Sequence, residues 1–332
     1  MRLEWAIALF VPAVVAWAVI ALARGSRWAE RLADRPNERS LHSVATPRVG
    51  GIGLMAGALP VAAAFSAQPI GALLACAAAL AVVSLADDLR SLPIEVRLPA
   101  HFAAATVAVL ASAAPSGTSA GLGAVAAIAA IVALVWMTNL FNFMDGSDGL
   151  AGAMAAIGFG TLAFAAHLGG AATLALAAAA IASASLGFLA HNFPPARVFL
   201  GDAGSIPVGF LAGALGLLGT LQGTWPAWFP LLVFSPFIVD ATLTLARRIV
   251  RRERFWRPHR GHYYQRLILG GWTPRRLAGW ACALMLAACA SALLALARGP
   301  AARFGIILGW ALFYLLLIIV IERRAHRAVI AQ

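Results

Sequence analysis

Eleven mainly apolar stretches recur along the 332-residue chain, near 3–23, 50–66, 70–86, 99–114, 122–141, 151–167, 170–190, 204–221, 226–246, 277–297 and 303–321. A membrane-crossing helix needs about 20 such residues. The pattern therefore predicts an all-α, polytopic transmembrane helix bundle of about eleven spans, built as a single domain over 1–332. Some stretches are short or glycine-rich, so their ends are read only to within a few residues. No small-residue cleavage site follows the first stretch, and Leu3–Ala23 is expected to be retained as a span.

The connections alternate in charge. Segments 24–49, 87–98, 191–203, 247–276 and 322–332 hold every arginine except Arg2, Arg298 and Arg303, whereas those near 67–69, 115–121, 168–169 and 222–225 carry no charge. Positive loops mark the cytoplasmic side. The N-terminus is then periplasmic and the C-terminus cytoplasmic, as an odd number of spans requires.

The polar clusters collect on that same face. Asp87 and Asp88 lie in SLADDLRSLP, and Asn139, Asn142, Asp145 and Asp148 in NLFNFMDGSDGLAG. Asn192, Phe199 and Asp202 lie in HNFPPARVFLGDAGS, His259, Arg260 and His262 in RPHRGHYYQRL, and His42 and Arg48 in LHSVATPRVGGIG. Chance would scatter them over both faces. A common cytoplasmic site built from loops 24–49, 87–98, 142–150, 191–203 and 247–276 is expected.

Composition narrows the chemistry. Only 11% of residues are charged and 62% are hydrophobic, against about 25% charged in a soluble domain, which excludes an ordinary soluble protein. The formal charge is +12, and all 25 basic residues are arginine. Lacking lysine, the chain has neither a Schiff-base nucleophile nor a P-loop. The arginines sit in loops between apolar runs, so they point to topology rather than nucleic acid. Cys76, Cys282 and Cys289 lie within apolar runs, with neither disulfide nor metal-site spacing. The alanine-rich run Ala172–Ala184 suits close helix packing.

Carboxylates at the mouths of spans are costly and usually functional. Asp145 and Asp148 are three apart and share a face if helical, with Gly146 and Gly149 admitting a ligand close to backbone. Asp148 also has a structural reading, as a cap of the next helix. Asp87 and Asp88 point about 100° apart on a helix, so they meet one atom only if the helix ends there, as Pro93 suggests; otherwise they are a solvated helix end. Asp202 stands among small residues before an apolar run, either capping it or holding a metal that bridges to phosphate. Mg²⁺ typically takes one or two carboxylates plus substrate phosphates. His259, Arg260 and His262 make a cationic patch suited to phosphate oxygens, or else a plain basic loop that binds anionic lipid. Asp240, in SPFIVDATLTLARR, either pairs with Arg247 or Arg248 as a packing element or joins the site. The long polar segment 247–276 is expected to hold a short amphipathic helix in the interface. Metal-binding carboxylates, phosphate-binding cations and a lipid face together call for phosphoryl transfer to an acceptor in the bilayer.

Six ordered motifs, RSLHSVATPRVGGIG, DDLRSLP, NLFNFMDGSDGLAG, HNFPPARVFLGDAGS, PFIVD and PHRGHYYQRL, carry a resemblance over nearly the whole chain. The chain resembles the polyprenyl-phosphate N-acetylhexosamine-1-phosphate transferases, relatives of the phospho-MurNAc-pentapeptide transferase of peptidoglycan synthesis. The resemblance implies a Mg²⁺-dependent enzyme (Mn²⁺ being the alternative) of the bacterial inner membrane. It would convert a UDP-sugar and undecaprenyl phosphate to undecaprenyl-diphospho-sugar and UMP. It also implies that Asp202 ligates the metal and that Asp87, with Asp88 beside it, orients or deprotonates the lipid phosphate. Asn139, Asn142, Asp145 and Asp148 would lie on the nucleotide side, with Phe199 stacked on uracil and Asn192 nearby. His259, Arg260 and His262 would contact phosphate or sugar, and His42 and Arg48 would belong to the substrate-binding set.

Two features of the motifs bear on the donor. ATPRVGG looks like the branch that starts O-antigen and related chains. RGHYYQRL stands where many GlcNAc-1-phosphate enzymes have HIHH, which points toward UDP-FucNAc or UDP-QuiNAc beside UDP-GlcNAc. A homodimer is left open. The alternative from another class is a cation- or proton-coupled transporter using intramembrane aspartates; it expects acids near the midplane and repeat symmetry, and neither is evident.

Overall fold

The structure, a computed structural model, describes residues 2–36, 44–113, 123–254 and 259–330, with side chains through Arg323. In chain order the elements are α1 (Arg2–Arg24), α2 (Arg27–Arg31), β1 (Ala33–Asp34), β2 (Thr46–Pro47), α3 (Gly50–Ala64), α4 (Ile70–Arg90), α5 (Ile94–Ala113) and α6 (Ala124–Phe143). Then follow α7 (Leu150–Leu168), α8 (Ala172–Asn192), α9 (Asp202–Leu221), α10 (Trp228–Val233), α11 (Ser235–Val250), α12 (Tyr263–Leu269), α13 (Pro274–Leu296) and α14 (Pro300–Ile330). Strand structure among the described residues is the two-residue antiparallel ladder β1–β2. The all-α, polytopic expectation holds.

Nine helices among the described residues are long and apolar enough to cross a membrane: α1, α4 to α9, α13, and α14 as far as Arg323. Two of the eleven expected spans differ. The stretch 50–66 is the 15-residue α3. The stretch 226–246 is broken at Phe234 into α10 and α11, where Pro236 falls in the first turn of α11. Proline is tolerated there because the N–H it lacks would have no partner anyway, and its ring blocks a continuous helix from α10.

The buried centre is α7, α8 and α9, while α1, α5 and α14 turn many large apolar side chains outward. Close approach rests on small residues, as in membrane bundles generally. A Cβ on Gly51 of α3 would lie 2.3 Å from the backbone nitrogen of Gly204 of α9. Helix α1 meets α8 just as closely: the Ser183 hydroxyl inserts into the α1 ladder beside Pro12, accepting from the Ala13 N–H at 3.1 Å and donating to the Leu9 carbonyl at 2.7 Å.

At the arginine-rich end the connections are knitted together by backbone bonds. The Phe199 N–H donates to the Pro47 carbonyl at 2.9 Å, and the N–H groups of Gly50 and Gly51 donate to the carbonyls of Phe199 and Leu200 at 2.9 and 2.8 Å. At the opposite end, the exceptional Arg303 caps α13: its guanidinium donates to the Ala295 and Leu296 carbonyls at 3.2 and 3.3 Å, as a cation at a helix C-terminus does.

Replacing Gly51 or Gly204 by leucine is therefore expected to destabilise the bundle by about 1–3 kcal/mol or more, lowering the thermal unfolding midpoint in detergent. Gly309→Leu, where a side chain meets open space, is the matched control and should leave the midpoint unchanged.

Candidate active site

The N-terminus of α9 is where the acids meet. Helix α4 does not end between Asp87 and Asp88 but runs on to Arg90, with its cap Ser91 at φ +49° and Pro93 beyond. The expectation that the helix stops to let both carboxylates face one atom is therefore corrected: the two diverge. Asp87 turns toward α5, where its oxygens accept from the Leu92 N–H at 2.6 Å and the Arg97 guanidinium at 2.8 Å. Asp88 reaches α9 and accepts from the Ala203 N–H at 3.1 Å and from the Asp202 N–H. It thereby satisfies two of the donors that every helix leaves open at its start.

The other oxygen of Asp88, Oδ1, is buried without a hydrogen-bond partner. Arg48 approaches it to 3.6 Å while pairing with Asp34 at 2.7 Å. Gly201, at φ +71°, makes this possible, because a Cβ there would crowd Asp88 Oδ2 and Arg48 Cβ at 3.0 Å.

Asp202 does not cap its own helix. Its Oδ1 accepts from the Asn142 amide at 2.7 Å, and the same amide donates to Ser205 at 3.0 Å. Asp145 completes the cluster, accepting from the Gly201 N–H. Burial first, and then the Asp202 carboxylate, push its carboxyl well above the usual carboxylate range, with Arg48 opposing. Asp88, Asp145 and Asp202 thus share one pocket beside Arg48.

Asp148 goes elsewhere. The turn 144–149 is not helical, so the shared face expected for Asp145 and Asp148 does not exist. Asp148 accepts from the Ala196 N–H at 2.9 Å, and α7 starts at Gly149 without a side-chain cap, so it does not cap α7 either. Asn192 is buried and spent at both ends of its amide, accepting from the Gly149 N–H and donating to the Val198 carbonyl, each at 2.9 Å. Asn139 stays within α6, donating to the Val135 carbonyl at 2.7 Å and lying 3.3 Å from the His101 ring nitrogen. Phe199 is half-buried in the strap joined to Pro47 and Gly50. His42 lies outside the described residues.

The basic loop packs onto this rim through α12. His259 and His262 stack with ring centroids 5.0 Å apart, and His262 is buried with Nδ1 3.3 Å from Asp240 Oδ1. Arg260 is exposed. Asp240 does not pair with Arg247 or Arg248, as the packing alternative had it. Arg247 instead pairs with Glu322 and Arg248 with Glu253. Arg247 and Arg266 also clamp the Gly261 carbonyl at 3.0 and 3.1 Å. The short helix expected in 247–276 is the seven-residue α12.

Sequence reasoning missed Arg97, Tyr264 and Glu322. The first had a signal, an arginine in the mainly apolar segment ten residues after Asp87; the other two had none.

The arrangement suits a divalent cation shared with phosphate. Among the described residues no group of three or more histidine, cysteine, aspartate or glutamate side chains is poised to hold an ion unaided. Mg²⁺ needs only one or two carboxylates when substrate phosphates fill its other positions. Oδ1 of Asp88, buried, without a hydrogen-bond partner and 3.6 Å from Arg48, is an acceptor that such an ion would satisfy.

A chain whose membrane helices gather an acidic pocket and a basic loop at one end belongs to the class of polytopic membrane proteins with a polar site at the bilayer surface. Residues 70–220 match the model of glycosyl transferase family 4. A probable undecaprenyl-phosphate N-acetylglucosaminyl 1-phosphate transferase of Bacillus subtilis is 30% identical over 127 residues, 38% of this chain and 36% of the relative. A decaprenyl-phosphate N-acetylglucosaminephosphotransferase of Mycolicibacterium smegmatis is 33% identical over 103 residues, 27% of this chain and 25% of the relative. A phospho-N-acetylmuramoyl-pentapeptide-transferase of Picosynechococcus is 35% identical over 96 residues, 29% of this chain and 24% of the relative. The matched stretch thus spans about a third or less of each relative's length. Over these matched residues, a little under half of the chain for the family model, the chain is similar to polyprenyl-phosphate sugar-phosphate transferases.

His259 supplies a pH signature. Its Nδ1 accepts from the Gly261 N–H at 3.1 Å, so that nitrogen must be unprotonated. Burial and the neighbouring His262 lower its pKa from 6.5 to about 4. Between those values the unfolded chain binds more protons, so the stabilisation is present above the unfolded pKa and lost as pH falls toward 4. The unfolding midpoint should accordingly drop more steeply between pH 6.5 and 4 in the wild type than in His259→Gln.

Proposed function

We propose that the chain transfers an N-acetylhexosamine 1-phosphate from a UDP-sugar to undecaprenyl phosphate at the cytoplasmic face of the bacterial inner membrane, as the first membrane step of O-antigen or a related envelope polysaccharide. The observation that carries this reading is the convergence of Asp88, Asp145 and Asp202 on the start of α9, beside Arg48 and at one end of the membrane-length helices.

In the reaction, an oxygen of the lipid phosphate attacks the β-phosphorus of the UDP-sugar and forms the new P–O–P bond. The bond from that phosphorus to the α–β bridging oxygen breaks, and UMP leaves with the oxygen. Nothing is oxidised or reduced. Positioning and charge stabilisation are the main catalytic terms in such transfers. Asp202 and Asp88 would hold Mg²⁺, which would neutralise charge on the diphosphate. Asn142 fixes the Asp202 carboxylate. Asp87, held by the Leu92 N–H, pairs with Arg97 beside Asp202, and in this reading the Arg97 guanidinium meets the lipid phosphate. The Phe199 strap and the Asp145 turn form the nucleotide wall, and His259, Arg260 and His262 face the sugar phosphate. A two-step route through an aspartyl phosphate is the mechanistic rival; within it Asp88, with its unpartnered oxygen, is the better nucleophile than Asp87.

The test is transfer from radiolabelled UDP-GlcNAc, UDP-FucNAc and UDP-QuiNAc, in parallel, to undecaprenyl phosphate by the purified protein, scored for lipid-linked product and UMP. Asp202→Asn and Asp88→Asn are each expected to lower kcat by roughly 10²-fold or more. Full Mg²⁺-dependent turnover in Asp202→Asn would overturn the metal assignment. No transfer from any donor by the wild type would overturn the reaction for these sugars.

A further inference from the structure

Asp240 and Tyr264 have no part in the chemistry above, yet they carry a dense set of contacts between the two halves of the site. Asp240 stands midway along α11, and only 8% of its surface is exposed. Its carboxylate accepts from the N–H groups of Tyr263 and Tyr264 at 2.9 and 3.0 Å. It also accepts from the Thr244 hydroxyl at 3.2 Å and faces His262 Nδ1 at 3.3 Å. One buried carboxylate thus fixes where α12 begins and how it is rotated.

From that fixed start Tyr264 crosses to the other wall. Its ring is buried and stacks on His262 with centroids 5.9 Å apart at 23°. Its hydroxyl donates at 3.1 Å to the carbonyl of Phe143, the last residue of α6. Beyond the hydroxyl is Gly146, next to Asp145, where a Cβ would lie 2.2 Å from the hydroxyl oxygen but 3.2 Å from the ring carbon bearing it. An unbroken line of contact therefore runs from His259 through His262 and Tyr264 to the turn that holds Asp145. The rim arginines Arg247 and Arg266 are occupied by Glu322 and Gly261 and do not reach this turn.

We propose that Tyr264, seated by Asp240, is a positioning residue: it sets the gap between the basic loop and the Asp145 turn, and so the span of nucleoside diphosphate-sugar that the site accepts. This rests on the transfer reaction proposed above for its kinetic readout. Tyr264→Phe keeps the buried ring and removes the hydroxyl's bond to the Phe143 carbonyl together with those to the Gly146 backbone and the Gln265 side chain. It should raise KM for the nucleotide sugar roughly tenfold or more, since more than one hydrogen bond is lost, with kcat changed less than about threefold. Gly146→Ala should lose more than tenfold in kcat/KM, because its methyl collides with the hydroxyl. The double variant Gly146→Ala/Tyr264→Phe should return to the level of Tyr264→Phe alone.

Absence of that rescue, or an unchanged KM in Tyr264→Phe, overturns the proposal; if Gly146→Ala does not fold, the KM of Tyr264→Phe decides. Should the wild type transfer no sugar phosphate at all, the reaction assignment fails but the strut is still read. The unfolding midpoints of the four proteins must then be non-additive, and additive midpoints overturn it.

Discussion

A carboxylate on one helix supplies the cap of another, and much of the site depends on that exchange. Helix α9 starts among buried residues after Gly201, and its first N–H groups have no intrahelical partner. In such surroundings an unsatisfied backbone donor costs several kcal/mol. Asp88 of α4 satisfies two of them. The bond fixes α4 against α9, and the Gly51–Gly204 contact fixes α3 against the same turn. Asp202, released from capping its own helix, is free to be oriented by Asn142. Placing Asp88 within reach of Asp202 and Asp145 would be repulsive without compensation, and Arg48 with the helix N-terminus supplies it.

Each paired acidic motif divides its labour the same way. In DD, Asp87 is consumed by Arg97 and the Leu92 N–H, while Asp88 enters the pocket. In DGSD, Asp145 enters the pocket, while Asp148 and the neighbouring Asn192 bind backbone to hold the α6–α7 and α8–α9 connections together. In each pair one carboxylate lines the pocket while the other is held by backbone or a neighbouring charge, and Asp87 still lies close enough to Asp202 for their charges to interact.

That division is why the sequence was legible to a definite depth. Hydropathy revealed the helices, since an all-α membrane bundle is written in apolar runs that nothing else explains. Charge sorting and motif order brought Asp88, Asp145, Asp202 and Arg48 to one end, where the structure has them. What failed were inferences from helical spacing at element ends: Asp87 with Asp88, and Asp145 with Asp148, follow no common face because a helix runs on in one case and is absent in the other. Asn139 bonds back to its own helix and also reaches His101 of α5, contacts that sequence does not announce. The break of 226–246 was marked by Pro236, but an apolar run outweighed it.

Asp240 shows where such reading stops. By sequence its obvious partners were Arg247 and Arg248, about two turns along the same helix. Both arginines find glutamates elsewhere, and Asp240 takes instead the backbone of α12, 23 and 24 residues on. A buried carboxylate is better satisfied by several fixed N–H donors than by one mobile guanidinium that would have to be desolvated with it. The geometry of a loop whose position is set by long-range backbone capture cannot be inferred from its own composition. The tyrosines of RGHYYQRL take their role from Asp240, Phe143 and Gly146, which sequence separates from them by more than 20 residues and the fold brings into contact.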